Sequence, residues 1–79
     1  MTHEWKKGDR AMWVVRDTAT PCVVTEPRGA WTDSADIRFM EWQPVGGPQL
    51  ISTNVGNANL RLPTAEELAE IDWSKLEGK

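Results

Sequence analysis

Cys22 is the only cysteine and His3 the only histidine in the chain, so a fold of 79 residues must hold together without an internal disulfide or a histidine-rich metal site. Domains of this size bury a small share of their surface and usually need a further source of stability. What remains is self-association or large side chains. The chain has five tryptophans, Trp5, Trp13, Trp31, Trp42 and Trp73, with Phe39 and no tyrosine. Each buried tryptophan removes roughly 150–250 Å² from water, so most of them are expected in the core. Trp13 is the first candidate, and Trp73 is expected to anchor the end of the chain.

Turn and strand signals then divide the chain. Gly8-Asp9 opens a segment Arg10–Arg16 in which Ala11, Trp13 and Val15 share one face and Met12 and Val14 the other. Apolar residues on both faces predict a central strand. Asp17–Pro21 reads as a loop, and Cys22–Glu26 as a second, short, β-branched strand ending at Pro27-Arg28-Gly29. Ala35–Trp42 is the clearest strand, with Ile37 and Phe39 on one face and Arg38, Met40 and Trp42 on the other. Pro44–Pro48 is a hairpin connection, Gln49–Thr53 a fourth strand, and Asn59–Leu62 a short fifth.

Pro63 ends that pattern. Thr64 followed by Glu67 is a capping box, and Glu66 and Glu67 suit the positive end of a helix. The organisation expected is a single domain over 1–79: a flexible terminus 1–5, a strand-rich body 6–62, a helix 64–72 with Leu68 and Ile71 on one face, and a tail 73–79. Charge follows the same division. Residues 1–63 carry seven acidic and seven basic side chains, and the segment after Pro63 carries the whole net charge of −3. A neutral body speaks against generic nucleic-acid binding, which needs a basic face.

The segment Trp5-Lys6-Lys7-Gly8-Asp9-Arg10-Ala11-Met12-Trp13 resembles the first strand of SH3-like barrels, including Tudor- and KOW-like modules; Val23-Val24-Thr25-Glu26 and Ile37-Arg38-Phe39 resemble the next two strands. The resemblance covers residues 5–62. It implies a mainly β fold, a small SH3-like barrel of four to five antiparallel strands with a short C-terminal α-helix, and no particular functional residue. Chains of this kind are similar to small accessory proteins of phages and mobile elements. The glycine-aspartate-arginine turn and the length are also similar to the type II dihydrofolate reductases. Gln49-Leu50-Ile51-Ser52 is the nearest stretch to their valine-glutamine-isoleucine-tyrosine strand, and the tyrosine is missing.

No catalytic residue, metal site or cofactor is expected. Ser34, Ser52 and Ser74 have only the remote His3 as a base, Gly46-Gly47 lacks the strand-to-helix context of a phosphate loop, and Cys22 among valines suits a buried small hydrophobe. The candidate binding surface is Trp31, Trp42, Arg28, Arg38 and Met40, because exposed tryptophan and arginine dominate binding hot spots. The competing expectation puts Met40 and Trp42 beneath the C-terminal helix. The readings are a protein-binding module, a nucleic-acid binder using Arg10, Arg16, Arg28 and Arg38, and a small enzyme built at an oligomer axis. The lone cysteine and the absence of an apolar N-terminal run point to a cytoplasmic protein outside membranes.

Overall fold

A computed structural model describes residues 5–28 and 33–77. They form one antiparallel sheet of β1 (Arg10–Val15), β2 (Thr18–Pro27), β3 (Ser34–Gln43), β4 (Gly47–Gly56) and β5 (Leu60–Arg61), in the order β4-β3-β2-β1-β5. A 3-10 turn, Asn57–Asn59, precedes β5, and helices α1 (Ala65–Glu70) and α2 (Trp73–Glu77) close the chain.

The expected mainly β fold with its C-terminal helix is present, but the sheet does not close into a barrel. β4 and β5 stand at opposite edges and are not hydrogen-bonded to each other. Strand spacing of about 4.8 Å would put the edges of a flat five-stranded sheet roughly 19 Å apart. Yet a three-residue 3-10 turn joins them, and at about 2 Å rise per residue it spans far less. The sheet must therefore curl, and Val55 of β4 and Leu60 of β5 fall in one buried cluster with Ala11, Cys22, Val24, Ala35 and Ile37. Closure fails because β5 is only two residues long. Pro63 brings no N–H to a ladder, and Thr64 already starts a helix.

That inner-face cluster also holds Trp5, so the terminus expected to be flexible over 1–5 ends in a core residue; residues 1–4 lie outside the described residues. Trp13 and Phe39 pack on the cluster with ring centroids 5.2 Å apart at a tilt of 56°, a favourable aromatic arrangement. Cys22 is fully buried, and burial pushes its thiol up to about 12, so it packs as a small hydrophobe.

The first hairpin is tighter than the sequence suggests. Val15 pairs with Thr18 around Arg16-Asp17, with Arg16 at φ 55°, so the expected loop Asp17–Pro21 is mostly strand. Pro21 is tolerated because the ladder to β3 begins only at Cys22 opposite Phe39. A bulge at Thr25 lets two residues of β2 oppose one of β3, and Thr25 Oγ1 donates to the Asp36 carbonyl at 3.2 Å.

The outer face of the central strands is covered by the end of the chain. Met12 and Val23 form a second cluster with Trp73 and Leu76, with Met40 and Ile71 packed against it. The expected tail 73–79 is thus a second helix over Trp73–Glu77, and the single helix expected over 64–72 stops at Glu70. The capping box is formed: Glu67 N–H donates to Thr64 Oγ1 (3.2 Å) and Thr64 N–H to Glu67 Oε1 (2.8 Å). Arg61 grips the same carboxylate with two nitrogens, at 2.7 and 2.9 Å, joining β5 to α1. Trp73 Nε1 donates to the Glu67 carbonyl at 3.3 Å, joining α2 to α1.

Two predictions follow from this packing. Ile37→Ala empties a fully buried position and should cost about 2–5 kcal/mol in urea unfolding; a loss below 1 kcal/mol would show that Ile37 is not at the centre of the core. The Arg61 hydrogen bonds, then the Thr64 backbone, lower the Glu67 pKa from the usual 4.5 to about 2. Because the folded value is depressed, this stabilisation is complete above pH 4.5 and is lost as pH falls towards 2. An NMR titration should find the Glu67 midpoint near 2, moving up towards 4.5 in Arg61→Gln.

Candidate functional site

The residues singled out by sequence separate in space. Trp31 lies outside the described residues. Arg38, Met40 and Trp42 do share the outer face of β3, but they do different things there. Arg38 is half-buried, and its Nε donates to the Leu76 carbonyl at 2.8 Å, tying the last turn of α2 to the sheet. Met40 is half-buried against the Trp73 cluster. Trp42, two residues further along, is 74% exposed. The expectation that the C-terminal helix covers both Met40 and Trp42 is met for Met40 alone, because the helical segment lies over β1, β2 and the middle of β3 and ends short of the hairpin tip.

Arg28 is engaged as well. It pairs with Asp36 at 2.7 Å, and Asp36 also accepts from Asn54 Nδ2 at 2.9 Å; the Arg28 bond, then the Asn54 bond, lowers the Asp36 carboxyl below its ordinary range. Arg10 pairs with Glu77 at 3.3 Å and lies over the Trp73 ring, 5.6 Å from its centroid. These arginines therefore serve the fold: Arg10 and Arg38 hold α2, Arg61 holds α1, and Arg28 ties the start of β3 to the end of β2.

What remains open is the β3–β4 hairpin. Its turn, Pro44-Val45-Gly46, leads into Gly46 and Gly47 at φ 94° and 72°, a conformation that glycine adopts freely. The ring of Trp42 lies beside Gly47, where a Cβ would sit 3.8 Å from Cζ3. Trp42 faces Pro48 across the ladder and Met40 faces Leu50. Val45 at the tip is 86% exposed and Leu50 is 44% exposed. Trp42, Pro48 and Leu50 thus share the outer face of the hairpin beyond the helical cover, with Val45 exposed at its tip. Sequence reasoning found Trp42 and missed the other three, since Pro44–Pro48 was read only as a connection and Leu50 only as part of the fourth strand, Gln49–Thr53. The available signal was charge: from Trp42 to Leu60 no side chain is ionisable, in a chain where 27% of residues are charged.

A depression of about 560 Å³ lies elsewhere, lined by Lys7, Gly8, Val23, Val24, Thr25, Arg38 and Glu77. Its charged walls are already committed in part, Arg38 to the Leu76 carbonyl and Glu77 to Arg10. Among the described residues no group of three His, Cys, Asp or Glu side chains could hold a metal ion, and no helix is long and apolar enough to cross a membrane. No protein-family profile matches the chain, and no curated protein or solved structure matches it.

The distinction between a binding arginine and a structural one can be measured. Arg38→Met keeps most of the apolar stem and loses the bond to Leu76. It should cost about 1–3 kcal/mol and make Trp73 fluorescence red-shifted and easier to quench, as α2 loosens. Unchanged stability and an unchanged Trp73 signal would mean that Arg38 does not hold the helix.

Proposed function

We propose that this domain is a protein-binding module whose contact surface is the β3–β4 hairpin, with Trp42 and Val45 at the centre and Pro48 and Leu50 beside them. The observation that carries this reading is the exposure of Trp42. A small domain without cross-links has every reason to bury its tryptophans, and this one is left 74% exposed on a regular ladder rather than in a loop. Tryptophan contributes more to interfaces than almost any other residue, and an apolar cluster at one end of a monomer marks an interaction site. The partner would be a protein or peptide segment with apolar side chains, since the stretch from Trp42 to Leu60 carries no charge to attract an ionic one.

Supporting the SH3-like relationship are the antiparallel strand order β4-β3-β2-β1-β5 and the 3-10 turn before β5. The engagement of Arg10, Arg28 and Arg38 with carboxylates or a carbonyl weighs against the nucleic-acid reading, because those groups would have to give up partners to meet phosphate; Arg16, the fourth arginine of that reading, is exposed in the β1–β2 turn. A buried, unreactive Cys22 suits a reducing compartment such as the cytoplasm.

The test is selection of binding peptides from a random displayed library on the wild-type domain and on Trp42→Ala. The variant should keep its stability to within about 0.5 kcal/mol, as expected of an exposed position. Peptides enriched on the wild type should be apolar and should lose binding to Trp42→Ala. Selected peptides that bind both proteins equally, or an oligonucleotide bound tightly at low salt in place of any peptide, would overturn the reading.

A further inference from the structure

The ladder geometry decides which backbone groups of β4 face outward. Val24 uses its N–H and C=O towards the β1 side, bonding Asp9 and Gly8 at 2.9 and 2.8 Å. Backbone direction alternates along a strand, so Val23 turns to β3, where its partner is Arg38. Arg38 then faces β2, and its neighbours Ile37 and Phe39 face β4, opposite Thr53 and Ile51. The bond from Asn57 N–H to the Asp33 carbonyl at 2.9 Å continues the same odd-numbered alternation. The N–H groups of Leu50, Ser52 and Asn54, with the carbonyls of Pro48, Leu50, Ser52 and Asn54, therefore point away from the sheet.

Strand edges of this kind are normally blunted by charge, proline, a bulge or brevity. β5, at the other edge, is blunted by brevity and by Pro63. β4 is ten residues long and pairs with β3 without a register shift. It carries no charged side chain, and its one proline, Pro48, removes an outward N–H only at the tip end. The segment Leu50–Asn54 is left as an open edge, and Leu50, Ser52 and Asn54 are all exposed.

We infer that β4 pairs antiparallel with β4 of a second copy about a two-fold axis at Ser52. In that register Ser52 faces its own counterpart, and Leu50 faces Asn54 of the other copy. All three outward N–H groups of each chain then find a carbonyl, so the edge is complementary to itself. The absence of charge favours this occupant over others. An isologous interface sets one patch against itself, so a strand of one charge sign would repel its copy, whereas this one does not. A charged partner strand, conversely, would gain nothing. The pairing places the two Trp42–Val45 tips at opposite ends of the joint sheet, still uncovered. Leu50 belongs to both surfaces, while Trp42 and Val45, the centre of the peptide-binding reading, lie outside the pairing.

A charge swap at the axis tests it. By sedimentation equilibrium over a wide range of concentration, the wild type should be a dimer. Ser52→Lys places two ammonium groups opposite each other, and Ser52→Glu places two carboxylates. Each alone should weaken association about tenfold or more, with circular dichroism unchanged because Ser52 is exposed. Mixing the two variants should restore the dimer. In parallel, the Ser52 amide should exchange with solvent more slowly as wild-type concentration rises. A monomer at every concentration, single variants that associate as strongly as wild type, a mixture that fails to recover, or a Ser52 amide that exchanges at the same rate at all concentrations would each overturn the inference.

Discussion

The structure depends on the central strands being apolar on both faces. Ala11, Cys22 and Val24 point one way and Met12 and Val23 the other, so a single layer cannot bury them. The inner set is buried by curling the sheet until its two edges share a cluster, with Trp5 added from the N-terminal side. The outer set needs a second layer, and among the described residues the segment after Pro63 supplies it. That segment is too short to be a stable helix unaided. It persists because Trp73 and Leu76 are buried against Met12 and Val23, and because Arg10, Arg38 and Arg61 hold it by Glu77, the Leu76 carbonyl and Glu67.

This arrangement has a consequence for function. The acidic tail and the neutral body are two halves of one electrostatic contact. Arg10, Arg28 and Arg38, three of the arginines considered for a phosphate-binding face, are engaged by the chain's own acids and a carbonyl. The second layer also has a limited reach. Two helices of six and five residues cover β1, β2 and half of β3, and leave the hairpin at the far end of β3 and β4 uncovered. The apolar tip around Trp42 arises from that shortfall, and the open edge of β4 from the brevity of β5.

Much of the local structure was legible from sequence. Period-two alternation separated Ile37 and Phe39 from Arg38, Met40 and Trp42, and the Thr64–Glu67 box located the start of α1, because both are short-range devices set by neighbouring residues. The candidate site was half legible. Trp42 was left open between a solvated face and a place beneath the helix, which the fold decided in favour of solvent, and Arg28 and Arg38 were grouped with it on residue type. Their engagement depends on Asp36 and on Leu76, and the Arg38 contact crosses 38 positions of sequence that no local pattern reports. Val45 and Pro48 escaped notice because turn chemistry explained them, and Leu50 because its place in a strand did, in each case without reference to exposure.

By itself the sequence determined that the body is built of four to five short strands, the two-sided apolar centre, the break at Pro63 and the absence of an internal disulfide. Each of these follows from residue type and spacing along the chain. The tertiary structure decided that the barrel stays open, that Trp5 belongs to the core, that the tail folds back as a second helix, and that Trp42 is left outside. Those outcomes turn on how far β5 and the last two helices can reach, which is a matter of geometry between distant segments and is written in no single stretch of the chain.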